Sequence, residues 1–170
     1  MDVTSERLDL VWLGATCLQA IVDRRWADAG AAAGFEVTEE WGEATVHIAA
    51  YRLRQVAEHP DDAEWLLHAI VRRSDGVAIG FINFHSAPTD GVAELGYRII
   101  ERHRRQGYAT EAVAAAMGWA RQVHGVHRFR LSIGPTNQAS LAMADQLHFT
   151  HVGEQIDEVD GLELVFERVL

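Results

Sequence analysis

The stretch from His103 to Ala112 carries the strongest chemical pattern in this chain: His-Arg-Arg-Gln-Gly-Tyr-Ala-Thr-Glu-Ala. An apolar, strand-like run, Ala93 to Ile100, precedes it, and a long helical pattern follows. The stretch therefore reads as a strand, a tight glycine-bearing turn and a helix N-terminus. A helix start presents backbone N–H groups without intrahelical acceptors, together with the positive end of a dipole. That combination seats a phosphate group. Arg104 or Arg105 could add positive charge to the same seat.

Other residue types narrow the chemistry further. Cys17 is the sole cysteine, which excludes an internal disulfide and a cysteine-based zinc cage. All 15 basic residues are arginine, so neither a lysine Schiff base nor a Walker-type phosphate loop is available. The histidine pairs His124/His127 and His148/His151 fall at expected helix-to-strand junctions, and neither lies on a glutamate-bearing helix of zinc-protease type. No metal site is expected. The formal net charge of -10 disfavours nucleic acid as a partner and suits a cationic one.

These residues need a scaffold, and the chain of 170 residues, 48% apolar, is sized for one domain with a substantial core. Met1 to Arg7 carries no signal-peptide pattern, and the longest weakly polar run, Ala112 to Ala120, is too short to span a bilayer. A soluble cytoplasmic protein without a membrane partner is the expectation. Arg7 to Leu13 alternates as a strand, and Ala15 to Ala33 and Thr45 to Glu58 read as helices. Leu66 to Arg73 and Val77 to His85 flank Ser74-Asp75-Gly76 as a hairpin, followed by the strand Ala93 to Ile100. A helical stripe runs from Ala109 to Val123, then come a strand at Arg128 to Ile133 and a helix at Asn137 to Leu147. His151 to Val159 and Leu162 to Val169 close the chain as a hairpin around Asp160-Gly161. The fold class is α/β: a single mixed sheet of about seven strands covered by helices. Trp26, Trp41 and Trp65 are candidates for an acceptor pocket, with core packing the favoured account for Trp26 and Trp65.

Three features together resemble the GNAT N-acetyltransferase superfamily. Arg104, Gly107 and Ala109 fill its Arg/Gln-x-x-Gly-x-Gly/Ala motif. The element order is the second feature. Asn137-Gln-Ala-Ser140 followed by Leu147-His148-Phe149 is the third, and is similar to the family's Asn…Ser…Leu-Gly-Phe helix. Glu6 to Leu8, Glu94-Leu-Gly-Tyr97 and the Ala-Thr-Glu-Ala run at 109–112 resemble the branch of ribosomal-protein N-terminal acetyltransferases and small-amine acetyltransferases. The resemblance spans nearly the whole chain and is weakest from Ala27 to Glu64.

The resemblance implies a mostly antiparallel sheet splayed between its fourth and fifth strands, with acetyl-CoA as acyl donor and no metal. The pyrophosphate would lie on Arg104, Arg105, Gln106, Gly107, Tyr108, Ala109 and Thr110. The pantetheine arm would pair with backbone at Tyr97, Ile99 and Ile100, Asn137 would orient its amide, and Ser140 would hydrogen-bond the sulfur. A backbone N–H at the splay is the expected oxyanion donor. Glu94 is the first candidate for the base that deprotonates the amine, because Leu95, Tyr97 and Ile99 share the other strand face. His85 is the second. Family members often carry a tyrosine seven positions after the asparagine as acid; Ala144 stands there, and Ser140 is the nearest substitute. His148 replaces the usual glycine before Phe149, so the end of that helix departs from the pattern. The implied reaction is transfer of an acetyl or other acyl group to a small amine or a protein N-terminus, by direct attack and in a monomer or homodimer. The alternative is a non-catalytic acyl-CoA-binding or regulatory module on the same fold.

Overall fold

The computed structural model describes residues 2–170. Among them lie eight strands: β1 (Asp2–Thr4), β2 (Leu8–Trp12), β3 (His68–Arg72), β4 (Val77–Phe84), β5 (Val92–Ile99), β6 (Arg128–Ile133), β7 (Thr150–Asp157) and β8 (Gly161–Val169). Five α-helices accompany them: α1 (Ala15–Val22), α2 (Trp26–Ala33), α3 (Glu39–Glu58), α4 (Tyr108–His124) and α5 (Gln138–Gln146). The strands form one sheet in the order β1-β2-β3-β4-β5-β6-β8-β7. Every neighbouring pair is antiparallel except β5 and β6. The eighth strand, relative to the seven expected, is β1, which is three residues long and too short to show an alternation of its own.

The sheet separates two cores. On one face, α4 and α5 cover Leu10, Ile82, Leu95, Phe129 and Leu131. On the other, α1, α2 and α3 cover Leu13, Leu67, Ala69 and Ala78. Alternation along β5 divides its residues between them: Ala93, Leu95, Tyr97 and Ile99 pack toward α4, which turns Glu94 and Gly96 toward α3.

The α3 side departs most from the sequence expectations. The single helix expected over 15–33 is broken at Arg24, whose φ is 57°. Arg24 N–H donates to Ile21 O and Arg25 N–H to Ala20 O, a paired closure that ordinarily uses glycine. Helix α3 begins at Glu39 rather than near Thr45, because Thr38 Oγ1 accepts from Trp41 N–H and Glu39 and Glu40 lie in the positive first turn. A Cβ at Gly42 would come within 2.6 Å of the Trp26 ring, so the glycine admits the indole that pins α2 on α3.

Helix α5 ends on His148, with φ 56°. His148 N–H donates to Asp145 O and Phe149 N–H to Ala144 O, so the helix closes as a glycine would close it, with histidine in the left-handed region. No helix among the described residues is long and apolar enough to cross a membrane.

Candidate active site

The β5–β6 ladder is short. Val92, Ala93 and Glu94 pair with Arg128, Phe129 and Arg130, and there the strands part. Beyond Glu94, β5 stays bonded to β4 alone and β6 to β8 alone, so backbone on the inner edge of each strand is left open. A cavity of about 620 Å³ occupies the α4–α5 side of this splay. Its walls include Tyr97, Ile99, Gly107, Ala109, Asn137 and Ser140. The volume lies within the range of small-molecule sites.

The loop feeding α4 forms the mouth. Arg105 (φ 60°) and Gly107 (φ 78°) both adopt the left-handed conformation, an element of the backbone nests that bind anions. Gly107 is the N-cap and offers no side-chain acceptor, and the first intrahelical bond is Glu111 N–H to Gly107 O. The amides of Tyr108, Ala109 and Thr110 are thus left for a ligand. Arg104 and Arg105 both line the cavity, and Arg104 Nε donates to Ile99 O at 2.9 Å, tying the loop to the end of β5. Thr110 Oγ1 donates to Gln146 Oε1 at 3.3 Å and joins α4 to α5 across one wall. An uncapped helix start, two left-handed turns and an open strand edge beside one cavity fit a pyrophosphate with an extended amide-bearing arm.

An N-terminal clamp holds this loop. Arg7 donates from Nη1 to Gln106 O at 3.0 Å and from Nε to Glu111 Oε2 at 2.6 Å, and its guanidinium lies 4.6 Å from the Tyr108 ring centroid. Glu111 Oε1 also accepts from Ser5 Oγ and Arg7 N–H, both at 2.7 Å. Desolvation pushes the Glu111 carboxyl up, but these hydrogen bonds outweigh it and hold it below the usual range.

On the cavity's inner wall, Tyr97 Oη donates to Ser140 Oγ at 2.8 Å. Burial is the largest influence on the Tyr97 phenol and holds it above its ordinary range. Ser140 sits in the first turn of α5, where its N–H donates to Asn137 Oδ1 at 3.2 Å. Asn137 is therefore the N-cap of that helix as well as part of the cavity wall.

Glu94 stands where β5 and β6 part, on the opposite face. Its Oε1 accepts from Ser132 Oγ at 2.5 Å and lies 3.6 Å from His85 Nδ1. Gln155 Nε2 in turn donates to Ser132 Oγ at 3.1 Å. This chain of donors, Ser132 on β6 and Gln155 on β7, aims Glu94. Helix α3 anchors the segment carrying His85: Arg52 Nη1 and Gln55 Nε2 donate to His85 O at 2.9 and 2.8 Å. Desolvation of the His85 ring lowers its pKa most. Glu94 opposes that effect, and the Arg52 guanidinium reinforces it. The ring is accordingly neutral at neutral pH, the form that accepts a proton. A Cβ at Gly96 would come within 3.1 Å of His85 Nε2, so the glycine leaves room for the imidazole.

Two residues expected to hold the cofactor are outside the cavity wall. Ile100 packs its side chain into the α1–α3 core, and its N–H donates to Ile79 O. Gln106 is outside the cavity wall, with its carbonyl taken by Arg7. Trp41 is fully buried, with Nε1 donating to Gly80 O, and so lines no acceptor pocket. Trp65 packs on Phe84 and Trp119 in the core. Burial pushes the Cys17 thiol up to about 11. His124 faces Glu64, and His127 Nδ1 faces Leu170 O. Among the described residues no group of three or more His, Cys, Asp or Glu is placed to hold a metal ion.

Sequence reasoning did not single out Arg52, Gln55, Ser132 or Gln155. Arg52 and Gln55 share a helix face at i, i+3, a faint signal, whereas Ser132 and Gln155 carry none. Arg7 was visible as part of Glu6-Arg7-Leu8, but its grip on Glu111 was not.

A single mixed sheet, parted between one parallel strand pair over a cavity headed by an uncapped helix, defines an acyltransferase-type fold. Residues 15–150 match the acetyltransferase (GNAT) domain model, and the chain belongs to that family. The curated relative YoaA of Bacillus subtilis (strain 168), an uncharacterized N-acetyltransferase, is 32% identical over 85 residues. That match covers 49% of this chain and 48% of YoaA, so the chain spans about half the length of that relative. Solved structures extend the likeness of fold to the whole chain. RimL, a ribosomal alpha-N-protein acetyltransferase in complex with coenzyme A, superposes with a TM-score of 0.69 at 19% identity, covering 100% of this chain and 98% of RimL. A GNAT-family acetyltransferase from Bacillus anthracis gives 0.68 at 16% identity over 99% and 98% of the two chains. The microcin self-immunity acetyltransferase MccE, in complex with acetyl-CoA and AMP, gives 0.66 at 16% identity over 98% and 94%.

Proposed function

We propose that the chain transfers an acetyl group from acetyl-CoA to a primary amine by direct attack on the thioester. The observation that carries this reading is the position of Glu94 at the end of the β5–β6 ladder, with the cavity on one face of the splay and the Glu94–His85 pair on the other. A donor held on one face and an amine approaching from the other would meet where the strands part.

Acetyl-CoA supplies an activated thioester carbonyl when bound. The amides of Tyr108, Ala109 and Thr110 would take its pyrophosphate, with Arg104 or Arg105 beside them, and the open edge of β5 at Tyr97 and Ile99 would pair with its arm. Asn137 and Ser140 would close the inner end. A terminal α-amine has a pKa of about 7.7–8.0, so a modest base suffices to free its lone pair. Glu94 is aimed by Ser132 and backed by neutral His85, and would accept that proton directly or through water. Glu163 and Asp157 act electrostatically on the same imidazole as Glu94. That negative wall supports a cationic acceptor, a small amine or a basic protein N-terminus.

Cys17, the one cysteine, supports no covalent enzyme intermediate, because its thiol is buried and holds its proton. The test is release of CoA with a panel of amines and N-terminal peptides. Glu94→Gln should lower kcat/KM by about 10²–10⁴, the worth of a positioned base. Tight acetyl-CoA binding with no turnover on any amine would replace this reading with a binding or regulatory module.

A further inference from the structure

The position that usually supplies a phenol to the leaving group is Ala144, which is completely buried. A phenol nonetheless reaches the cavity, from the opposite wall. Tyr97, on β5, meets Ser140 of α5 through a 2.8 Å hydrogen bond, and both side chains line the cavity. The two residues lie on separate elements, 43 positions apart, so the contact is made by the fold and not by local sequence.

We propose that Tyr97 is a positioning residue that orients the Ser140 hydroxyl toward the thioester sulfur. This rests on the acetyltransferase reading above. A serine hydroxyl rotates freely about its Cβ–Oγ bond and has one proton to give. A phenol is the stronger acid of the two hydroxyls and takes the donor role. Its proton occupies a lone pair of Ser140 Oγ, which removes Tyr97 as a target for the serine's own proton. The Ser140 N–H is itself taken by Asn137 Oδ1, which fixes the residue in the first turn of α5. The serine proton is then directed into the cavity. Accepting one hydrogen bond also strengthens the next one donated.

Tyr97 does not itself give up its proton. An unperturbed phenol has a pKa near 10 and a thiol one of about 8.5, so transfer to the thiolate is already unfavourable. Burial of Tyr97 increases that disparity. When the C–S bond breaks, its electron pair stays on sulfur, where the Ser140 O–H stabilises the developing charge by hydrogen bonding. The thiolate then takes its proton from solvent.

The test titrates the thiol of CoA bound to the protein, by thiolate absorbance, without turnover. The protein's own thiol does not interfere, because burial pushes Cys17 up to about 11. In the wild-type complex the CoA thiol should titrate below its free value. Tyr97→Phe should make it an about fivefold weaker acid, the worth of one neutral hydrogen bond, with CoA affinity held within about twofold. Ser140→Ala should produce a larger change, and adding Tyr97→Phe to it should change nothing further. kcat should follow the same pattern while KM for acetyl-CoA stays level. An unchanged bound-thiol titration in Tyr97→Phe, or full additivity in the double variant, overturns the proposal, while CoA release on addition of an amine sustains the acetyltransferase reading. Failure of the wild-type protein to bind CoA at all would remove both.

Discussion

Gly107 and Gly125 sit at the two ends of α4 and permit a controlled test of the donor site. Both are left-handed, with φ of 78° and 68°. Alanine in that region costs about 1–2 kcal/mol at either position. Sterics add little: a Cβ at Gly107 would meet only the Arg7 Nη2 tip at 3.4 Å, and a Cβ at Gly125 would meet nothing within 4 Å. The two alanine variants should therefore lose similar stability, with Tm falling about 2–4 °C per kcal/mol for a chain of this size. Their effect on the donor should differ. Relaxation at Gly107 turns the amides of the loop, and loss of one N–H bond to a charged phosphate is worth about 1.5–3 kcal/mol. Calorimetric titration should then show acetyl-CoA binding about tenfold to a hundredfold weaker in Gly107→Ala and unchanged in Gly125→Ala. Equal affinities in the two variants, or a matching loss in Gly125→Ala, would refute the assignment of this loop to the pyrophosphate.

Three further outcomes are expected. The Glu111 carboxyl is held below its ordinary value, so its contribution to stability is present above about pH 4.3 and is lost as pH falls through the lower folded value. Urea unfolding across that acid range should show a shallower pH dependence in Glu111→Gln than in the parent. His148→Gly relieves a left-handed histidine and should raise stability by about 0.5–1 kcal/mol in thermal unfolding, without altering acetyl-CoA affinity. Cys17 has its thiol pushed to about 11, against about 8.5 for a free thiol, so alkylation of the native protein at neutral pH should run at least two orders of magnitude, roughly, slower than after unfolding.

Local chemistry determined much of this protein. The strand–glycine–helix run around Gly107 was legible because phosphate seats depend on backbone geometry that glycine and helix starts announce themselves. Alternation along β5 separated Tyr97 from Glu94, since side chains of a strand take opposite faces by necessity. The Asn137 cap is likewise local: the cap and the N–H it satisfies are neighbours in sequence.

Tertiary structure decided what depends on distant partners. The turn at Arg24 and the closure at His148 are left-handed without glycine, and the Arg24 guanidinium is paired with Glu43 of α3. Gly42 lies inside α3, where the Trp26 ring fills the space a side chain would take. The Arg7–Glu111 clamp spans 104 residues, the Tyr97–Ser140 bond 43 and the Ser132–Glu94 bond 38. Composition and periodicity report which face of an element is apolar. They do not report which polar atom on one face meets which on another, because that pairing exists only after the sheet has set the register of its strands.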